Sequence, residues 1–220
     1  MNEQAIRLEE KIISLFSNLE TEIYQGWVLK DFSCHTVVFP LYSGSLSRQE
    51  VEKRIGMCEE ISRQKSLNCQ FRIVENTNYY LTSILEDKGY KLRHSAIIAE
   101  CCMDENVFLP GQGQWGKNER DKVVLHKRER GNGIEHIVTD SGLVVGVKRQ
   151  GLLFLPDGKL PGGVEIEDIF LFAAENRISR VLADIPENEE LTASYRETGF
   201  RKAYLYRCYQ REGLCNESAK

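Results

Sequence analysis

Apolar residues recur along this chain with two different periods. Leu8, Ile12, Leu15, Phe16 and Leu19 fall at helical spacing with charges between them, which predicts an amphipathic helix over 3–19. The segments 26–30 and 36–39 are rich in Val, Leu, Phe and Trp and predict two strands. Ser47 and Glu50 form a Ser-x-x-Glu capping box, after which Val51, Ile55, Cys58 and Ile61 share one helical face. A strand over 71–74, a short helix from Asn78 and a strand over 91–100 follow. Past residue 120, β-like segments at 122–126, 133–139, 143–148 and 152–155 lead into a helix over 164–176. The chain then reads as a strand at 181–185, a helix from Asn188 and a last strand at 204–209. Antiparallel strands followed by alternating strand and helix predict a mixed α+β fold.

The segment 188–200 has both helix ends marked. Asn188 is a good N-cap, Glu189 and Glu190 suit the positive end of the helix dipole, and Gly199 can close the last turn in the left-handed conformation. The same pattern stands earlier in the chain. Leu81 to Leu191 is an offset of 110, and at that offset Asn78 falls on Asn188, Gly89 on Gly199 and Tyr90 on Phe200. An N-cap, a short helix and a glycine is also a common connection between helix and strand. The agreement of the flanking strands favours two related lobes, each a central mixed sheet flanked by helices. The boundaries read as 1–103, a linker over 104–120, and 121–220. One position differs in chemistry: Tyr195 in the second copy is Leu85 in the first.

Charge and cysteine content narrow the function. A net charge of −4 disfavours a nucleic-acid partner. No apolar run is long enough to span a bilayer, so no membrane partner is expected, and the first residues lack the basic-then-apolar layout of a signal peptide. The expected compartment is the cytoplasm. Seven cysteines without a secretion signal read as free thiols, and neither Cys101-Cys102 nor Cys34-His35 stands at zinc-ligand spacing, so no metal is expected. The run 111–116 matches the letters G-x-G-x-x-G, but Pro110 precedes it and charged residues follow it, so it reads as linker.

Candidate chemistry gathers at 156–164, Pro-Asp-Gly-Lys-Leu-Pro-Gly-Gly-Val, between a strand and a helix. A glycine-rich turn at a helix N-terminus can bind an anion such as a pyrophosphate; Pro-Asp-Gly is also a common plain turn. Strand, Pro156, Lys159, Gly162, helix, strand, Asn188, Tyr195 and Gly199-Phe200 together resemble the GNAT-type N-acetyltransferases over about 120–210, with the first lobe a diverged half of the same fold. In that first lobe Ser43-Gly44-Ser45 replaces the glycine loop and Leu85 the tyrosine. The resemblance implies acetyl-CoA as co-substrate and a primary amine of a small molecule or peptide as acceptor. It implies that Lys159, Gly162, Gly163 and Val164 hold the pyrophosphate, and that Asn188 lines the acetyl-CoA arm. It implies that an amide of Leu153, Phe154 or Leu155 polarises the thioester carbonyl, and that Tyr195 protonates the departing thiolate. Lys159 stands where the family has Arg, Pro161 removes an amide, and Glu165, Glu167 and Asp168 place negative charge at the helix start. Those letters keep open a second reading: a GNAT-fold protein without catalysis that binds CoA or a partner as a regulatory or scaffold module. Tyr195 as a packed core residue also stays open. Glu135 and Asp140 are candidate bases by position alone, and a homodimer is an open assembly.

Overall fold

The computed structural model describes residues 3–42, 45–75, 79–103, 123–156 and 158–211. Asn78, Ser43, Gly44, the 104–120 linker and the 111–116 glycine run lie outside the described residues. The chain divides into two compact units. Unit 1 takes the residues up to Ala96 together with those from Tyr204 on, and unit 2 runs Ile97–Ala203. The division therefore falls inside two strands rather than at the 104–120 segment.

Unit 1 opens with helix α1 (Glu3–Leu15). Strands β1 (Thr21–Tyr24), β2 (Trp27–Asp31) and β3 (His35–Phe39) form an antiparallel meander. Helix α2 (Arg48–Gln64) starts at the Ser47/Glu50 capping box, where each partner satisfies the other's amide. Strand β4 (Asn68–Val74) pairs parallel with β3, and helix α3 (Tyr79–Asp87) leads to strand β5 (Lys91–Cys102). The far side of β4 is covered by strand β11 (Arg201–Gln210), antiparallel, with Tyr206 opposite Val74. The strand order is β1-β2-β3-β4-β11. Trp27, Phe71, Ile55 and Leu85 are fully buried between the sheet and helices α2 and α3. Helix α1 buries Glu9 as well as its apolar stripe. The Glu9 carboxylate takes two bonds from Arg72, at 2.5 and 3.1 Å, and one from the Tyr204 hydroxyl.

Unit 2 contains strands β6 (Leu125–Gly131), β7 (Ile134–Thr139), β8 (Val144–Arg149) and β9 (Leu152–Leu155), each antiparallel to the next of the four. Helix α4 (Ile166–Glu175) crosses to strand β10 (Arg180–Pro186), which pairs parallel with β9. Helix α5 (Glu189–Glu197) follows, and the order is β5-β10-β9-β8-β7-β6. Besides helix α1, which ends at Leu15 rather than at residue 19, and strand β1, which the sequence pattern did not mark, two elements of unit 2 differ from the sequence reading. The strand expected at 122–126 runs instead through His126, Lys127, Arg128 and Glu129, because β6 is an edge strand and its charges face water. The helix expected from Val164 begins at Ile166. The Val164 amide closes a turn onto the Pro161 carbonyl at 3.0 Å, so the two glycines form a turn ahead of the helix.

Part of the 110-residue offset is visible in the elements. Helix α3 spans 79–87 and α5 spans 189–197, while β5 begins at 91 and β11 at 201, all 110 apart. Gly89 (φ +82) and Gly199 (φ +95) both adopt the left-handed conformation. The Tyr90 amide bonds the Leu85 carbonyl as the Phe200 amide bonds the Tyr195 carbonyl. The tandem strands β3–β4 and β9–β10 are both parallel pairs, each reached from an antiparallel meander.

Candidate acyl-CoA site

The candidate residues of unit 2 hang from three elements: the end of β9, the loop into α4, and α5. Leu153, Phe154 and Leu155 are 2% exposed or less. Residues 152–154 pair with β8 and 152–155 with β10, so their peptide groups lie inside the sheet. After Leu155 the chain folds back over the end of β10. A Cβ on Gly158 would meet the Asp184 carbonyl oxygen at 2.7 Å, and the residue has φ +57, so both space and conformation require glycine.

Tyr195 fastens this loop. Asn188 caps α5 by accepting from the Leu191 amide at 3.1 Å, which sets the helix so that Leu191 and Tyr195 share one face. The Tyr195 ring packs edge-on to Phe200 at 5.1 Å, and Phe200 stacks on Phe170 of α4. The Tyr195 hydroxyl donates to the Gly158 carbonyl at 2.9 Å. Only 6% of the residue is exposed, and burial pushes the phenol up to about 12. At neutral pH it is a protonated donor already committed to a backbone acceptor.

A cleft of ≈480 Å³ lies beside this tyrosine, lined by Lys159, Leu160, Glu165, Ile166, Glu167 and Tyr195 among others. Open space surrounds Gly162, where an added Cβ would meet nothing within 4 Å. That openness and Lys159 suit an approaching anion. The carboxylates do not. Glu165 and Glu167 line the same cleft, and the buried Asp168 carboxylate accepts from the Glu165 amide at 2.9 Å. The negative charge that the positive N-terminal end of α4 favours is thus supplied by the protein itself.

The structure brings Lys159 and Tyr195 to one cleft and holds Gly162, Gly163 and Val164 in the adjoining turn. Asn188 stands elsewhere, in a groove with Ile97, Thr192 and Arg196. Neither candidate base lines these cavities: Glu135 pairs with Lys148, and Asp140 with His126 at 2.5 Å. Sequence reasoning missed Gly158, whose only signal was the Pro-Asp-Gly turn, and Ile166, which the turn ahead of α4 brings to the cleft. Among the described residues, no group of three or more His, Cys, Asp or Glu could hold a metal ion, and no helix is long and apolar enough to cross a membrane.

No protein-family model matches the sequence, and no curated protein does either. Solved structures match by fold. A GCN5-related N-acetyltransferase from Kribbella flavida superposes with a TM-score of 0.62 over 95% of this chain and 96% of its own, at 10% identity. Another GCN5-related N-acetyltransferase, from Sphaerobacter thermophilus, gives 0.53 over 92% and 84%, at 12% identity. A tandem GNAT protein from the clavulanic acid biosynthesis pathway gives 0.50 over 86% and 80%, at 10% identity. The chain has the α+β fold of the GCN5-related N-acetyltransferases.

Proposed function

We propose that this chain, built on the GCN5-related N-acetyltransferase fold, is an acetyl-CoA-dependent N-acetyltransferase acting on a primary amine of a small molecule or peptide. The observation that carries the reading is the unit 2 cleft: Lys159, the start of α4 at Glu165 to Glu167, and the protonated Tyr195 line one cavity, with the Gly162 turn between Lys159 and α4 in the chain. Acetyl-CoA, when bound, supplies the acyl group and the thiol leaving group. Lys159 is the cation that would face its diphosphate, and the open side of Gly162 is where the diphosphate would approach the backbone. Tyr195 holds its proton on Oη at neutral pH, as a general acid must. To act, it has to turn that proton from the Gly158 carbonyl into the cleft.

A second reading has a specific observation behind it. The Gly158 segment lies directly on Asp184 and Ile185, held there by Tyr195, and two glutamates line the cleft where a diphosphate would sit. Both favour a GNAT-fold module that does not turn over. The discriminating experiment pairs calorimetry with CoA and a thiol-release assay with acetyl-CoA across a panel of amines. Binding with turnover supports the enzyme. In that case Tyr195→Phe keeps CoA binding and lowers turnover by roughly ten- to a thousand-fold. Binding without turnover across the panel supports the module, and no heat at millimolar CoA removes CoA from both readings.

A further inference from the structure

On the other side of Tyr195 from the cleft, unit 2 holds a second cavity of ≈250 Å³. Its buried lining is Ile97 and Ala99 of β5, Ile185 of β10, Phe200 and Tyr195. Its exposed lining is cationic, with Arg196, Arg201 and Lys202. Through Ile97, Thr192 and Arg196 it adjoins the groove of ≈550 Å³ at the start of α5, where Glu187 is the one acidic lining residue.

Three cations meet at this one mouth. Elsewhere in unit 2, Arg180 stands in an ion pair 2.8 Å from Glu100, and Lys148 pairs with Glu135. Among the described residues, Arg196, Arg201 and Lys202 have no ion-pair partner, although the chain carries 33 acidic residues against 29 basic ones. Like charges gathered at one mouth repel, and an anion bound there relieves that repulsion. An anion that also fills the apolar floor gains the burial of its own hydrocarbon surface. Arginine is the side chain suited to a carboxylate, which it can grip with two parallel bonds.

We propose that this cavity is a binding site for a small amphipathic carboxylate, with its apolar body on Ile97, Ala99, Ile185 and Phe200 and its carboxylate at Arg196 and Arg201. The volume is just below that of ordinary small-molecule pockets, about 300–1,000 Å³, so the ligand is small. The buried Tyr195 lines both this cavity and the proposed acyl-CoA cleft and stands between them, and the proposal does not depend on acetyl transfer.

The test is a methyl-resolved NMR titration of the full chain with 4-phenylbutyrate at low salt. Saturable shifts are expected at the Ile97, Ala99 and Ile185 methyls, with a dissociation constant of about 1 mM or tighter. The neutral amide, 4-phenylbutyramide, should bind roughly tenfold more weakly, as should Arg196→Ala/Arg201→Ala with the acid. Both arginines are exposed, so the double variant keeps the fold, which the unchanged spectrum away from the pocket reports. Added CoA should leave the shifts in place whether or not CoA binds in its own cleft. No shift at about 10 mM probe, equal binding of acid and amide, equal binding by the double variant, or displacement by CoA would each overturn the proposal.

Discussion

The Tyr195 hydroxyl donates to the Gly158 carbonyl from a buried position, so removing it strands an acceptor that water cannot reach. Packing alone would make Tyr195→Phe nearly neutral. The hydrogen bond changes that, and the variant should lose about 1–3 kcal/mol in urea unfolding. The same phenol gives a pH signature. Burial raises it from 10.0 to about 12, so above pH 10 the unfolded chain releases this proton while the folded chain retains it. Its contribution to stability is therefore constant below pH 10 and declines as pH rises toward about 12. Measured near pH 8 and again near pH 10.5, the stability gap between the parent and Tyr195→Phe should narrow. A gap that stays constant or widens would show that the ring is not held as protonated as its burial implies.

At the scale of elements, two helices depend on single polar residues in different ways. Asn188 closes one exposed amide of α5, and Asn188→Ala should cost about 1 kcal/mol, seen as a lowered melting temperature. Glu9 is a different case. It is fully buried under α1, bonded twice by Arg72 and once by Tyr204, with the Arg72 guanidinium stacked 3.5 Å over the Tyr206 ring. Glu9→Ala leaves a buried guanidinium without its counter-charge and should cost about 3–5 kcal/mol. If Glu9→Ala unfolds at the same denaturant midpoint as the parent, the network is not what holds α1. The Asn188 cap was legible in the sequence, because a cap acts within one turn. The Glu9–Arg72 pair was not: residues 9, 72 and 204 meet only through the tertiary fold, and Glu9 sits among charges that mark an ordinary solvated helix face.

At the scale of the whole molecule, each unit is completed by chain from the other half of the sequence. Strand β4 of unit 1 pairs with residues 206–210 of β11, and unit 2 draws β5 from residues before 104. A fragment ending at residue 103 therefore lacks the strand that covers β4 and leaves that edge unpaired. Expressed alone, it should aggregate or show no dispersed NMR spectrum, and co-expression with 121–220 should restore solubility. A stable, monomeric 1–103 fragment would show that β11 is dispensable to unit 1.

The sequence by itself determined what is local. The Ser47/Glu50 box, the Asn188 cap, and Gly89 and Gly199 after their helices depend on neighbours within a few positions, and the structure has each of them. Tertiary structure decided what depends on distant partners. It set Gly158 against Asp184, turned Tyr195 onto a backbone carbonyl, and separated Asn188 from the cleft that holds Lys159. It also carried β5 and β11 each into both units, since strand pairing joins segments more than a hundred residues apart and leaves no mark on the local pattern of either.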